Sequence, residues 1–305
     1  MSRRPEALAQ VSDFDIRLLK IFRSVVECGG FSAAETVLGI GRSAISQQMK
    51  DLEQRLGLRL CQRGRAGFSL TEEGRDVYQS ALQLLGALES FRTEVNGLHQ
   101  HLRGELNIGL TDNLVTLPHM RITHALAELK DRGPDVHIQI RMIAPSQVEQ
   151  GVLDGSLHVG VVPQTSPLSG LEYQPLYSER SLLYCAVGHP LFFADDAHID
   201  DDRLNSQDAI APTFRLPAHV QACYQTLHCT ASASDREGMA FLILTGRYIG
   251  YLPDHYASVW VQQGRLRALK PNERFHDLGL SWVTRKDRRP NLVLQRFLDS
   301  LAATR

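Results

Sequence analysis

The stretch Phe31–Glu53, FSAAETVLGIGRSAISQQMKDLE, decides how the chain is read. It has the form of two short helices meeting at a tight turn. Ser32 and Glu35 have the spacing of a capping box for the first helix, and Ala33, Ala34, Val37 and Leu38 form its apolar stripe. Gly39-Ile40-Gly41 supplies the turn. The second helix, from about Ser43, turns Ala44, Ile45, Met49 and Leu52 inward at a spacing near 3.6 residues and leaves Arg42, Ser43, Ser46, Gln47 and Lys50 outward. Those outward side chains are of the kinds that read base edges and phosphates, so the pattern is that of a helix-turn-helix. The alternative is an amphipathic helix pair of the sort many domains contain.

Working outward, residues 1–11 read as a polar arm carrying Arg3 and Arg4. Ser12 or Asp13 can cap a helix whose stripe is Phe14, Leu18, Leu19, Phe22, Val25 and Val26, ending at Gly29-Gly30. After Glu53 the chain reads QRLGLRLCQR, then RAGFSLTEEG; Arg63 to Leu70 is a short ribbon bent at Gly64 and Gly67.

This block resembles the winged helix-turn-helix of the LysR-type transcriptional regulators, whose usual pattern is LE..LG..LF.R, a wing, and LTE.G. The resemblance extends over the chain beyond its first dozen residues. It implies DNA contacts from Ser32, Arg42, Ser43, Ser46, Gln47 and Lys50, and from Arg63 and Arg65 of the wing along phosphates or in a minor groove. Two positions depart from the pattern. The usual Ser-Gln entry to the recognition helix is Gly41-Arg42, which favours guanine or a phosphate over adenine. The aromatic residue usual before the wing is Cys61, a smaller filler expected to pack the wing less firmly.

At 305 residues the chain has room for two or three domains, and 43% apolar with 22% charged residues places it among ordinary globular proteins. A net charge of −1 hides an asymmetry: residues 1–66 hold 11 Lys and Arg against 7 Asp and Glu, the remainder 22 against 27. A basic end on an acidic body suits phosphate contact at that end. Five cysteines, at 28, 61, 185, 223 and 229, show no zinc-type pairing. The start MSRRPEALAQ lacks an apolar leader and no run approaches a membrane span, so a cytoplasmic protein without a membrane partner is expected.

From Thr71 to about Leu102 there is no proline, and apolar residues recur at Tyr78, Leu82, Leu85, Leu88, Phe91, Val95, Leu98 and Leu102, close to a coiled-coil repeat. The resemblance implies a linker helix that pairs two subunits. Beyond Arg103-Gly104, strands and helices alternate: strand Leu106 to Leu110, helix Leu117 to Lys130, strand Val136 to Met142, helix Ser146 to Leu153, strand His158 to Val162. That order predicts a parallel sheet with right-handed crossovers. Pro163 to Gly170 is a candidate crossing to a second lobe. There, strands are expected at Leu171 to Leu176, Ser181 to Val187, Ala209 to Ala211 and Leu227 to Thr230, a helix at Asp235 to Leu244, and a strand in GRYIGYLP, residues 246–253. A return crossing near Gly264 to Leu269, a strand Leu278 to Thr284 and a helix Asn291 to Ala302 complete the first lobe.

The expected fold is therefore α/β with an N-terminal all-α winged helix-turn-helix, and a two-lobed effector domain like the periplasmic binding proteins joined by a long linker helix. The limits expected are 1–70, 71–103 and 104–305, with lobe I about 104–163 and 268–305 and lobe II about 164–267.

Polar groups at helix starts are candidate effector contacts: Thr111, Asp112 and Asn113 after the first strand, Ser146 behind Pro145, and Ser234 with Asp235; the resemblance adds Thr213 and Phe214, which match a cleft loop of the second lobe. Ser146–Glu149 and Ser234–Glu237 also have capping-box spacing, so capping competes with ligand contact for these serines. Asp112 favours a ligand that offers an ammonium or hydroxyl donors. His219, Cys223, His228 and Cys229 raise the alternative of an oxidant sensor using Cys223 and Cys229, against buried thiols as the plainer account. No G-x-S-x-G elbow, P-loop or dinucleotide fingerprint points to an enzyme. The resemblance implies a regulator without cofactor or metal that binds double-stranded promoter DNA as a dimer or tetramer, responds to a small-molecule effector of unknown identity, and acts with RNA polymerase; a non-specific DNA binder is the other alternative.

Overall fold

The structure, a computed structural model, describes residues 10–64, 67–98, 102–165, 167–286 and 290–303. The chain divides into two compact units, Met1–Arg92 with Asp154–Ser156, and Thr93–Leu153 with Leu157–Arg305. Arg3 and Arg4 of the expected polar arm lie outside the described residues.

The first unit opens with α1 (Asp13–Glu27), capped by Ser12, whose hydroxyl accepts from the Asp15 amide while the Asp15 carboxylate accepts from Ser12. Helix α2 (Phe31–Leu38) and helix α3 (Arg42–Leu56) follow. Gly39 ends α2 and Gly57 ends α3, both in the left-handed region where a side chain would be strained. Leu18, Phe22, Val25, Phe31, Ala34, Ile45, Met49 and Leu52 form the core.

Four local expectations fail here. Phe14 of the α1 stripe is exposed, with the Arg55 guanidinium 5.8 Å over its ring. Helix α2 begins at Phe31, so Ser32 lies inside its first turn and cannot cap it; Gly30 is the capping residue and has no side chain to offer. Two turns of helix bury one face only, Phe31 and Ala34, which leaves Ala33 exposed and Val37 67% exposed. Ala44 is likewise exposed, because Ile45, Met49 and Leu52 define the inward face of α3 and Ala44 is rotated off it.

Strands β1 (Cys61–Gly64) and β2 (Gly67–Leu70) pair antiparallel as the wing. The Glu53 carboxylate holds its entry, accepting from the amides of Leu60 and Cys61 at 2.8 and 3.2 Å. Cys61 is 2% exposed, so the smaller side chain is fully packed. Just ahead of helix α4 (Glu72–Leu98), the Thr71 hydroxyl accepts from the Gly74 amide. A Cβ at Gly74 would meet the Leu60 carbonyl at 2.0 Å, which explains the glycine in LTEEG. Along α4, Tyr78 packs edge-on against Phe22, and Leu82 and Leu85 are buried within the chain. Leu88, Phe91 and Val95 stay exposed, so the regular stripe is divided between intrachain packing and a free face.

The second unit runs β3 (Gly104–Leu110), α5 (Arg121–Arg132), β4 (Val136–Met142), α6 (Pro145–Asp154), β5 (Val159–Pro163), β6 (Leu171–Ala186), α7 (Asp201–Asn205), β7 (Asp208–Pro212), α8 (Ala218–Gln225), β8 (His228–Ala233), α9 (Arg236–Leu244), β9 (Gly250–Pro253), α10 (Asp254–Gln262), β10 (Leu266–Ala268), β11 (Phe275–Arg285) and α11 (Leu292–Ala303). Strand β3 pairs parallel with β4 and β5. The larger sheet has the order β10-β6-β11-β5-β3-β4 with β9 also on β6, and β7 and β8 form a separate parallel pair.

The two segments expected as separate strands, Leu171 to Leu176 and Ser181 to Val187, are one continuous β6, because β11 pairs with it along nearly its whole length. The passage between lobes runs along β6 and returns along β11. The segment near Gly264 to Leu269 instead holds β10, still paired with β6 at Leu266 and Ala186. One lobe carries the core of Leu106, Ile108, Leu129, Val159 and Phe297, the other the cores around Leu183, Ile249, Met239 and Leu252.

Candidate functional site

At the start of α3, Arg42, Ser43, Gln47 and Lys50 are exposed, as is Ser32 on α2; Ser46 is half-buried and engaged by the protein. Gln47 donates to Asp51 at 2.8 Å, one turn on. The helix is braced from below: Asp15 of α1 is 3% exposed and takes two hydrogen bonds from the Arg55 guanidinium of α3. The Arg55 hydrogen bond holds the Asp15 carboxyl well below the usual range. Arg63 lies in β1 with its side chain outside the described residues, and Arg65 lies outside them altogether.

In the second unit, Thr111, Asp112, Pro145, Phe214, Ser234 and Asp235 line one cavity of about 450 Å³ between the lobes, together with Met142, Ile143, Ala144, Gln147, Arg236 and Glu237. Asn113, Ser146 and Thr213 do not line it. Asn113 is in the left-handed region at φ 58° and opens a 3₁₀ turn, which delays α5 past the expected start. Neither serine caps a helix. Pro145 opens α6, and Gln147 reaches back to the Ala144 amide at 3.3 Å; Glu149 turns inward to accept from the Tyr173 hydroxyl at 2.6 Å. Asp235 caps α9 through the Gly238 amide at 2.7 Å, and Ser234 donates to Asp235 at 2.8 Å.

Asp112, foreseen as an effector contact, instead accepts from the backbone amide of Arg236 across the cleft. Residues that sequence reasoning passed over, Arg236, Glu179, His255 and Thr116, extend this link between the lobes. The Arg236 guanidinium lies 4.7 Å over the Phe214 ring and donates to Glu179 of β6 at 3.1 Å. His255 stands between Glu179, at 3.3 Å, and the Thr116 hydroxyl of the other lobe, at 2.7 Å. Burial opposes ionisation of Glu179, yet the His255 hydrogen bond and the Arg236 charge hold its pKa below the ordinary value. Glu179 lies in the polar run Ser178-Glu179-Arg180-Ser181 of β6, so no local signal in the sequence marks it as a buried charge.

Cys223 is half-buried and Cys229 exposed, both as free thiols, so the expected account of two buried thiols does not hold; desolvation nonetheless raises both thiol pKa values, which disfavours the reactive thiolate of an oxidant sensor. Among the described residues no group of three or more His, Cys, Asp or Glu is placed to hold a metal, and no helix is long and apolar enough to cross a membrane.

A winged helix-turn-helix joined through a long helix to a two-lobed α/β fold with a cleft defines an effector-controlled DNA-binding regulator. Residues 16–75 match the bacterial regulatory helix-turn-helix of the lysR family, and residues 99–305 match the LysR substrate binding domain. The chain is 65% identical over 304 residues, 99% of each sequence, to the HTH-type transcriptional activator BauR of Pseudomonas aeruginosa. Its fold is similar to CbnR, a LysR family regulator, at TM-score 0.66 and 18% identity over 95% of this chain and 98% of that one. Similarity to full-length CbnR complexed with target DNA is 0.65 at 18% identity, covering 95% and 99%. The protein belongs to the LysR family of transcriptional regulators.

Proposed function

We propose that this regulator reads an interrupted inverted repeat in promoter DNA through Arg42, Ser43, Ser46 and Gln47, with Ser32, Lys50, Arg63 and Arg65 on the backbone. In this reading residues 1–70 bind DNA, 71–103 pair subunits through the exposed Leu88, Phe91 and Val95, and 104–305 sense effector. It acts in the cytoplasm as a dimer or tetramer and, like its 65% identical relative described as an activator, promotes transcription with RNA polymerase. It works as a ligand-responsive binder rather than a catalyst and needs no cofactor.

The effector is held between the lobes by Thr111, Asp112, Pro145, Phe214, Ser234 and Asp235, with Asn113, Ser146 and Thr213 shaping the loops behind them. One observation carries its class: three carboxylates, Asp112, Asp235 and Glu237, line the cavity, while the Arg236 guanidinium is spent on Glu179. Such a cleft favours a small metabolite that offers an ammonium or several hydroxyls. Calorimetry on the full-length chain tests it with two panels of equal size, amino-bearing or polyhydroxyl compounds and plain dicarboxylates. Tight binding from the first panel, lost in Asp112→Asn, is expected; tight binding of a dicarboxylate unaffected by that change overturns the proposed class.

A further inference from the structure

The start of the recognition helix is held in an unusual way. Gly41 is its capping residue and carries no side chain to accept from the first-turn amides. In its place the Glu35 carboxylate, from the last turn of α2, accepts from the backbone amide of Arg42, the first residue of α3. Glu35 is half-buried, whereas Arg42, Ser43 and Gln47 around it are exposed. A charged group is thus fixed at the end of the helix where the macrodipole is positive and where a free amide is an anion site.

We infer that Glu35 is a positioning residue for DNA reading: it fixes the first turn of α3 from α2 and keeps phosphate off the Arg42 amide. The inference rests on α3 being the reading helix. Two effects follow from one carboxylate. As a hydrogen-bond acceptor it orders the backbone from which Arg42 and Ser43 project, as a capping side chain at Gly41 would otherwise do. As an anion it repels the phosphate that would dock on that amide in any sequence, so it lowers non-specific affinity more than specific affinity. The Glu35 carboxylate is therefore a selectivity device as well as a cap.

The test uses the full-length protein, a duplex that it enriches from a random-sequence pool, and a scrambled duplex of the same composition. Glu35→Gln keeps an acceptor oxygen and removes the charge. Its affinity for scrambled DNA should rise about two- to fivefold at low salt, an increase that disappears at high salt, with the enriched duplex bound as before. Glu35→Ala should lose about three- to tenfold on the enriched duplex while gaining on the scrambled one, and Glu35→Ala with Gly41→Ser should recover the specific loss, because Ser caps from the helix's own N-terminus. A purely structural role lowers both affinities together and leaves their ratio unchanged. Arg42→Ala is the control on the underlying reading: if it leaves specific affinity intact, α3 is not the reading helix. If Arg42→Ala lowers specific affinity but neither Glu35 variant moves the ratio, the role assigned to Glu35 is overturned. Should Glu35→Ala melt the helix pair, Glu35→Gln alone decides, and an unchanged scrambled-DNA affinity overturns the inference.

Discussion

The carboxylate of Asp112, two residues past the end of β3, accepts from the backbone amide of Arg236, which opens α9 in the opposite lobe. The positive end of α9 is therefore already occupied by the protein's own anion. Thr116 and His255 add a second tether between the lobes at 2.7 Å. Both tethers meet at Glu179, through Arg236 and His255, so the cleft is closed by one connected polar network.

Removing the carboxylate should both loosen the closure and free the amide. Asp112→Ala is expected to cost about 1–2 kcal/mol of stability, as a charge-assisted hydrogen bond lost at a half-exposed site. In thermal denaturation of the full-length protein, succinate at millimolar concentration should then raise the Tm of the variant and leave the parent unchanged. Equal shifts in both would show that Asp112 does not compete with a ligand carboxylate.

For DNA reading, Arg42→Ala and Gln47→Ala should each cost about 1–3 kcal/mol on an enriched duplex and much less on scrambled DNA. Gln47 must first release Asp51, so its loss is expected at the lower end. Fluorescence anisotropy at fixed salt measures both. Losses that are the same on the two DNAs would assign these side chains to phosphate rather than to bases.

Subunit pairing should depend on the exposed face of α4. Leu88→Asp with Phe91→Asp would bury unpaired charge in a helix seam, whereas Leu85 is already covered within the chain and would report on folding instead. Light scattering should show a folded monomer for the double variant. A dimer of unchanged stability would place the pairing surface elsewhere.

How much of this was legible in the sequence depended on the range of the interaction. The helix-turn-helix, the wing and the parallel βαβαβ order follow from periodicity and from glycines at Gly39, Gly41, Gly64 and Gly67, because each is set by near neighbours in the chain. The capping-box pairs failed for a related reason. Spacing permits Ser32–Glu35, Ser146–Glu149 and Ser234–Glu237, but each glutamate or cap finds a different partner once helices adjoin: Glu35 takes the Arg42 amide, Glu149 takes Tyr173, and Asp235 displaces Ser234. The continuity of β6 and the Glu179 network were hidden because their partners, β11 and residues 236 and 255, lie more than 50 positions away. In the cleft, the residues near helix starts were foreseeable from chemistry, while Met142, Ile143 and Gln147 enter only through the way β4 runs into α6.

His276 of β11 is 7% exposed, with Tyr251 at 5.1 Å and Tyr224 at 6.3 Å between ring centroids, and neither ring nitrogen has a partner among the described residues. Burial first, then the positive charges of Arg236 and His219, lower its pKa from 6.5 to about 4, against the opposing pull of Glu179 and Asp277. In the unfolded chain the ring protonates as pH falls below 6.5, whereas in the folded protein it stays neutral until about 4. The unfolded state therefore binds more protons across that window, and stability must fall with pH. The contribution is intact above pH 6.5 and declines by up to about 3 kcal/mol by pH 4, at about 1.4 kcal/mol for each pH step inside the window. Urea denaturation of the full-length protein at pH 7, 6 and 5 measures the slope, and His276→Phe, which preserves the ring among its aromatic neighbours, should flatten it by that amount. Parallel pH profiles for parent and variant would mean that His276 is not the group whose buried neutrality sets the acid sensitivity of the effector domain.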